Sequence, residues 1–235
     1  MSMTIRGTFP DQDPARPFRG QISKESVSQQ AYVAIRDSLM RSRLKPGQKL
    51  VARQVADELG ISVTPVRESL LRLASEHVLT IDERGTVMVP NLTRERCIEI
   101  RDLRRLLEGE GAARAALLAN EHDIANLQAI HARYATTEGR RDFAGALVEN
   151  ENFHFAICRL AQAPALFRLV ENLWMQFGPI LSALYDGAKR PFHGRKHGHE
   201  MIIEALTTKN PEAARQSMSQ DILIGGAALL EKFSD

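Results

Sequence analysis

Cysteine and aromatic side chains are scarce in this chain: two Cys, one Trp, and 6% aromatic residues in 235. Cys97 and Cys158 are too few for a disulfide framework, and each lies among apolar neighbours in a helical pattern. No apolar run reaches the roughly 18 residues of a membrane helix. The opening stretch is polar and proline-rich, so neither a membrane span nor a signal peptide is expected. Catalytic motifs are missing too: there is no HExxH pair, Gly-rich phosphate loop or Ser-His-Asp ordering. Net charge is only +2, with 43% hydrophobic and 26% charged residues. That is the composition of an ordinary soluble protein, long enough for one large or two modest domains. A reduced cytoplasm suits it.

The distribution of charge says more than its sum. Residues 1–90 hold 13 Lys/Arg against 10 Asp/Glu, and residues 91–235 hold 18 against 19. Between Asp37 and Asp57 no acid occurs, while Arg41, Arg43, Lys45, Lys49 and Arg53 do. Such a stretch is the footprint of phosphate contacts, or else a solvated basic loop.

Its neighbour in the chain bears on that choice. Val51 to Ala74 reads as a helix with Val51, Val55 and Leu59 on one stripe, a turn at Gly60, and a second helix from Ser62. In the second helix Val66, Leu70 and Leu73 face inward, and Arg67 and Arg72 outward. Ser62 suits an N-cap, and Pro65 is tolerated in the first turn. Two short helices around a Gly turn form a helix-turn-helix, with Ser62, Thr64, Arg67 and Ser69 near the start of its recognition helix. A bare αα-hairpin has the same pattern. The residues after Ala74 disfavour it: Val78–Ile81 and Thr86–Val89 are β-prone runs around Asp82–Gly85, a hairpin with Gly85 at its tip. Helix, helix-turn-helix and hairpin make a winged helix.

Residues 1–22 are expected to be a flexible arm, and a helix is expected from Ser23 with Val27, Ala31, Ile35 and Leu39 inward. The DNA-binding domain then spans 23–90, closing at Pro90-Asn91. From Thr93 strand signals vanish. Six helices are expected in 91–235, starting with one that has Ile100, Leu103, Leu107 and Ala112 on one side. A second, capped by Asn120, turns Ile124, Leu127 and Ile130 inward. Two more, about Arg141–Leu160 and Pro164–Tyr185, precede a Gly/Pro/His-rich loop at 186–198; a fifth runs to about Thr208, and Asn210-Pro211 opens the last, to about Lys232. The fold class is mainly α: an N-terminal winged helix-turn-helix followed by an all-α bundle.

These residues carry a resemblance. Leu44-Lys45-Pro46-Gly47 with Leu50, Val55-Ala56, Leu59-Gly60, Ser62, Thr64 to Glu68 and Leu70 resemble the signature of the GntR family of bacterial transcription regulators. Arg104 to Glu108, Phe153-His154, Ala163 to Leu166, His199-x-x-Ile202-x-x-Ala205-Leu206 and Asn210 to Ala214 with Met218 resemble the FCD effector domain of its FadR subfamily. The likeness covers roughly residues 25–232.

It implies DNA contacts at Arg53, Thr64 and Arg67, beside Ser62, with Gly85 at the wing tip. The chain departs at Val63 and Ala52, where the family commonly has Arg and Glu. A missing Arg removes a base contact worth about 1–3 kcal/mol, so the operator is expected to differ from the commonest half-site. In the second domain the likeness implies a divalent metal on Asn150, His154, His199 and Asp221, where the family has Asp, His, His and His. Fewer imidazoles favour an oxygen-preferring ion such as Mn²⁺ or Mg²⁺. The alternative is a metal-free pocket. Spacing alone favours a surface pair of Arg104 with Glu108, but the resemblance implies that Arg104 meets an effector carboxylate, with His154 and His199. His193 and His197 are expected in solvent, and Trp174 and Phe177 are expected to pack.

The chain therefore reads as a cytoplasmic, homodimeric regulator, a repressor, that binds a near-palindromic duplex operator under control of a small carboxylic acid. It is not read as an enzyme. The competing readings are a metal-dependent enzyme built on the His/Asp/Asn cluster and a winged-helix scaffold for protein contacts. Arg53→Ala and Arg67→Ala should each weaken specific operator binding by about 1–3 kcal/mol with the fold intact. Unchanged affinity in both variants, measured by fluorescence anisotropy, would remove the recognition-helix assignment.

Overall fold

The computed structural model describes residues 27–181 and 197–233. The expected N-terminal arm, the helix start at Ser23, the end of the fourth bundle helix at Tyr185 and His193 lie outside the described residues. The order of elements is α1 (Val27–Met40), α2 (Ala52–Leu59), α3 (Val63–Ser75), β1 (Thr80–Ile81), β2 (Val87–Met88) and α4 (Arg94–Leu118). Then come α5 (Glu121–Gly139), α6 (Phe143–Leu160), α7 (Pro164–Leu181), α8 (Gly198–Thr207), α9 (Pro211–Leu230) and a short 3₁₀ turn. A winged helix is thus succeeded by six helices among the described residues, as the sequence pattern suggests.

Local chemistry sets the element ends. Gly60 closes α2 at φ +67°, a left-handed backbone that glycine adopts without penalty. Thr93 caps α4 by accepting from the Arg96 amide, and Asn210 caps α9 by accepting from Ala213 with Pro211 behind it. Asn120 and Asp123 form a full capping box on α5.

Several inward assignments shift. Val51 is the extended residue before α2, so it falls outside the helix and is 46% exposed. Leu59 is exposed as well, and Ala56 is the residue that α2 buries. Val27 and Leu103 are exposed, while the rest of their expected stripes is buried or half-buried. Ser62 sits at the N-cap of α3, yet its side chain makes no cap bond. Ser69 is buried on the same face as Val66, Leu70 and Leu73, and donates to the carbonyls of Ser28 and Pro65. It pins α3 to α1 and is removed from the DNA-facing set.

The strands are shorter than their β-prone runs. Thr80 pairs with Met88 and Ile81 with Val87, antiparallel. An unexpected third segment supports them: the Leu50 amide donates to Val87, the Val89 amide to Gln48, and Lys49 bridges to Met88. The wing is thereby tied to the basic stretch before α2.

The core crosses the expected boundary at Pro90-Asn91. One apolar cluster runs from Ala31, Leu39 and Leu70 of the winged helix through Cys97 and Ile100 to Phe155, Leu173, Trp174 and Phe177. A second lies wholly among the bundle helices, around Leu127, Phe153, Ile202 and Met218. The seam is α1 on α7. Arg36 pairs with Glu171 at 2.9 Å, the Asn172 amide donates to the Glu76 carbonyl, and Ser42 donates to the Gly178 carbonyl. Gly178 permits this approach, because a methyl there would overlap the backbone of Leu39 and Met40.

Candidate functional site

Two regions concentrate the expected functional side chains. On the winged helix, Arg53 of α2 and Ser62, Thr64 and Arg67 at the start of α3 are all exposed. Neither arginine is in an ion pair among the described residues, so both charges are available to a polyanion. Lys45 and Lys49 are exposed beside them. Gly85 takes φ +77° at the hairpin tip. The tip is held by Asp82, which accepts from the amides of Arg84 and Thr86 and is thereby kept below the usual carboxylate range. Arg72 turns away from this face. It lies 3.9 Å over the Tyr32 ring and pairs with Glu76, which also accepts from the Tyr32 hydroxyl.

The second region is buried in the helical bundle and centres on Glu108 of α4, which has no exposed surface. Its Oε1 accepts from Arg104 Nε at 2.6 Å and from Trp174 Nε1 at 3.1 Å, and its Oε2 lies 2.7 Å from His154 Nδ1. Arg104 is 5% exposed, with its guanidinium 4.0 Å over the Trp174 ring. The surface pair with Glu108 that spacing allowed is instead a buried one. Trp174 packs as expected and adds a hydrogen bond. His154 Nε2 faces Asp221 Oδ2 at 3.3 Å.

Electrostatics follow from this geometry. Burial pushes the Glu108 carboxyl up, but Arg104 and His154 outweigh it and hold it at about 2. Burial pushes the His154 imidazole down, yet the carboxylates of Glu108 and Asp221 raise it to about 9. His154 is therefore an imidazolium with a carboxylate on each nitrogen. Two cations, Arg104 and His154, face two anions, Glu108 and Asp221.

His199 lies next to this quartet with no exposed surface, its ring stacked on Phe153 at 3.8 Å. Its Nε2 donates to Asn150 Oδ1 at 3.1 Å. Asn150, His154, His199 and Asp221 are thus neighbours, and ligand atoms of the last three lie within 4.8 Å of one another. Without a metal, its members are engaged with one another and with Glu108. Both nitrogens of His154 are committed to carboxylates, and Asn150 is committed to His199. Asp221 keeps one buried oxygen without a partner, against Gly198 where a Cβ would stand.

His131 and His197 were not among the expected site residues. His197 caps α8 by accepting from the His199 amide through Nδ1, and it is half-buried instead of solvated. Burial lowers it to about 4, and burial followed by the neighbouring imidazoles puts His199 well below the usual histidine range. His131 of α5 joins them, its ring centroid 5.4 Å from His197 and 5.5 Å from His199. A sequence signal for His131 existed: it comes one helical turn after Leu127, next to the inward stripe.

A winged helix with exposed arginines, joined through a common core to a helical domain with a buried polar cluster, is the architecture of a DNA-binding transcription regulator. The comparisons agree. The chain belongs to the GntR family: residues 27–89 match the gntR family of bacterial regulatory proteins, and residues 99–223 match the FCD domain. The HTH-type transcriptional regulator McbR of Escherichia coli K12 is 29% identical over 93% of this chain and 99% of that protein. The gluconate operon transcriptional repressor of Bacillus subtilis 168 is 24% identical over 85% and 84% of the two chains. The solved structure of E. coli McbR/YncC superposes with a TM-score of 0.83 at 28% identity, covering 90% of this chain and all of that one. These relatives are regulators. No helix among the described residues is long and apolar enough to cross a membrane.

Glu108→Ala should cost about 3–5 kcal/mol of unfolding free energy, because it strands two buried cations. A loss under about 1 kcal/mol in urea titrations at neutral pH would contradict the hub assignment. The pH dependence has a definite sign. The raised His154 contributes stability in full below its ordinary pKa, and this fades as pH climbs through about 9. The depressed Glu108 contributes above the usual carboxylate range, and this is lost as pH falls toward about 2.

Proposed function

We propose that this regulator is a homodimeric repressor that binds a near-palindromic operator through Arg53, Ser62, Thr64, Arg67 and Gly85, and is controlled by a small effector held in the helical domain. The observation that carries the reading is the seam: α7 presents Trp174 to Glu108 and, one turn on, Gly178 to α1. A change of partner at Glu108 is felt by α7, and α1 of the winged helix rests on α7. An effector carboxylate would compete with Glu108 for Arg104 and so favour a different setting of Trp174. Control requires unequal binding to two arrangements of the dimer, about 1.4 kcal/mol for each tenfold change in operator affinity.

Two observations support the dimer. A single winged helix covers only a half-site. Leu103, Leu106 and Leu117 lie along one side of α4 and are 39%, 70% and 65% exposed, an apolar stripe that a second copy would cover. Domain bounds of 23–90 for DNA binding and 91–235 for sensing and assembly suit this division of labour, as does a cytoplasmic setting. Buried His and Asp also occur in hydrolytic sites, but the winged helix would have no part in such an enzyme.

The full chain should sediment as a dimer at micromolar concentration and bind the operator with strong salt dependence. At least one small hydroxy acid in a panel that starts with gluconate should shift that affinity tenfold or more. A monomer, or an operator affinity indifferent to every acid and divalent ion tried, would contradict the proposal.

A further inference from the structure

The buried quartet around Glu108 commits the nitrogens of His154, which leaves His199 the one imidazole of the expected metal set with an open nitrogen. That nitrogen, Nδ1, is buried without a partner and belongs to a ring whose Nε2 is fixed by Asn150. His131 repeats the arrangement: Nδ1 is buried without a partner, and Nε2 faces Glu200 Oε1 at 3.6 Å. His197 is the third ring, its centroid 4.4 Å from that of His199. One ligand atom from each of His131, His197 and His199 lies within 4.8 Å of the other two.

We propose that these three histidines bind a divalent transition-metal ion, at a site adjacent to but distinct from the Asn150, His154, His199 and Asp221 set. Three imidazoles with no carboxylate are a borderline-soft donor set, suited to Zn²⁺, Co²⁺ or Ni²⁺ instead of Mn²⁺ or Mg²⁺. Polar groups on the distal nitrogens of two of the rings fix their orientation, as outer-shell partners do at metal-bound histidines. His197 joins by giving up its cap bond to the His199 amide, a single neutral hydrogen bond. Entry is provided by a groove of about 390 Å³ between α5 and α8, lined by Gln128, His131, Glu200, Ile203 and Thr207 among others. Three protein ligands leave a coordination position open toward that groove, where water or an oxygen-bearing ligand can bind.

The site is tied to the expected one through His199 alone, so substitutions elsewhere separate the two. Full-length protein, stripped with chelator, is titrated with Zn²⁺ by calorimetry and with Co²⁺ by visible absorption, and Mg²⁺ serves as the comparison ion. One Zn²⁺ per chain and an intense Co²⁺ d–d band are expected. His131→Ala and His197→Ala should each weaken Zn²⁺ binding at least tenfold, while Asp221→Asn stays within about threefold of the parent chain. Circular dichroism identifies any variant that fails to fold, and the other histidine variant then decides. The proposal is overturned if the parent chain binds no Zn²⁺ at micromolar concentration, if both histidine variants bind like it, or if Asp221→Asn loses binding as severely as they do. Operator binding, measured on the stripped protein, tests the regulator reading separately.

Discussion

The buried polar cluster of the helical domain is arranged around one carboxylate that has no access to water. A bare Glu108 in that position would cost several kcal/mol in lost hydration, and it is tolerated because three side chains from three helices serve it at once. Arg104 reaches it along α4, His154 from α6 and Trp174 from α7. The neighbours inherit their states from it: Arg104 is drawn inward over the indole, and His154 is held charged between Glu108 and Asp221. Asp221 in turn draws α9 against the start of α8, where Gly198 leaves room for it. A hydrophobic core would have been a simpler solution. What the polar hub adds is dependence: moving one member leaves the others unpaired.

That dependence extends beyond the bundle because the first apolar cluster does not stop at the domain boundary. Trp174 is both a donor to the hub and a member of the core shared with α1, α3 and the wing. The glycine at 178 brings α7 to the backbone of α1, and the Arg36–Glu171 pair flanks the seam. The buried hub and the winged helix thus both rest on α7.

Much of this architecture was legible in the sequence. The period-3.6 stripes, the Gly60 turn and the Gly85 hairpin located the winged helix, and Thr93, Asn120 and Asn210 marked helix starts by their capping chemistry. The errors were of phase and partnership. A short helix such as α2 gives too few periods to choose between Val51–Val55–Leu59 and a face one residue on, at Ala56. Ser69 looked like a DNA contact because a hydroxyl near a helix start is ambiguous until its burial is known. Helical spacing allowed Arg104 to meet Glu108, but burial of the pair depends on His154 and Trp174, 46 and 66 residues away from Glu108. The His131–His197–His199 group is of the same kind: His131 comes from α5 and the other two from the start of α8, with α6 and α7 between them in sequence, and no spacing rule links His131 to the pair.

Through the seam, the winged helix and the helical bundle are expected to behave as one cooperative unit. Native-state hydrogen exchange in low urea tests it most directly, through the opening free energies of slow amides in α1 and α7. A cooperative seam predicts a common value for Ile35, Leu39, Leu173 and Phe177, falling together when Glu108 is replaced by Gln. If the α1 amides open several kcal/mol more easily than those of α7, or are indifferent to the substitution, the two parts are independent and the claim is wrong.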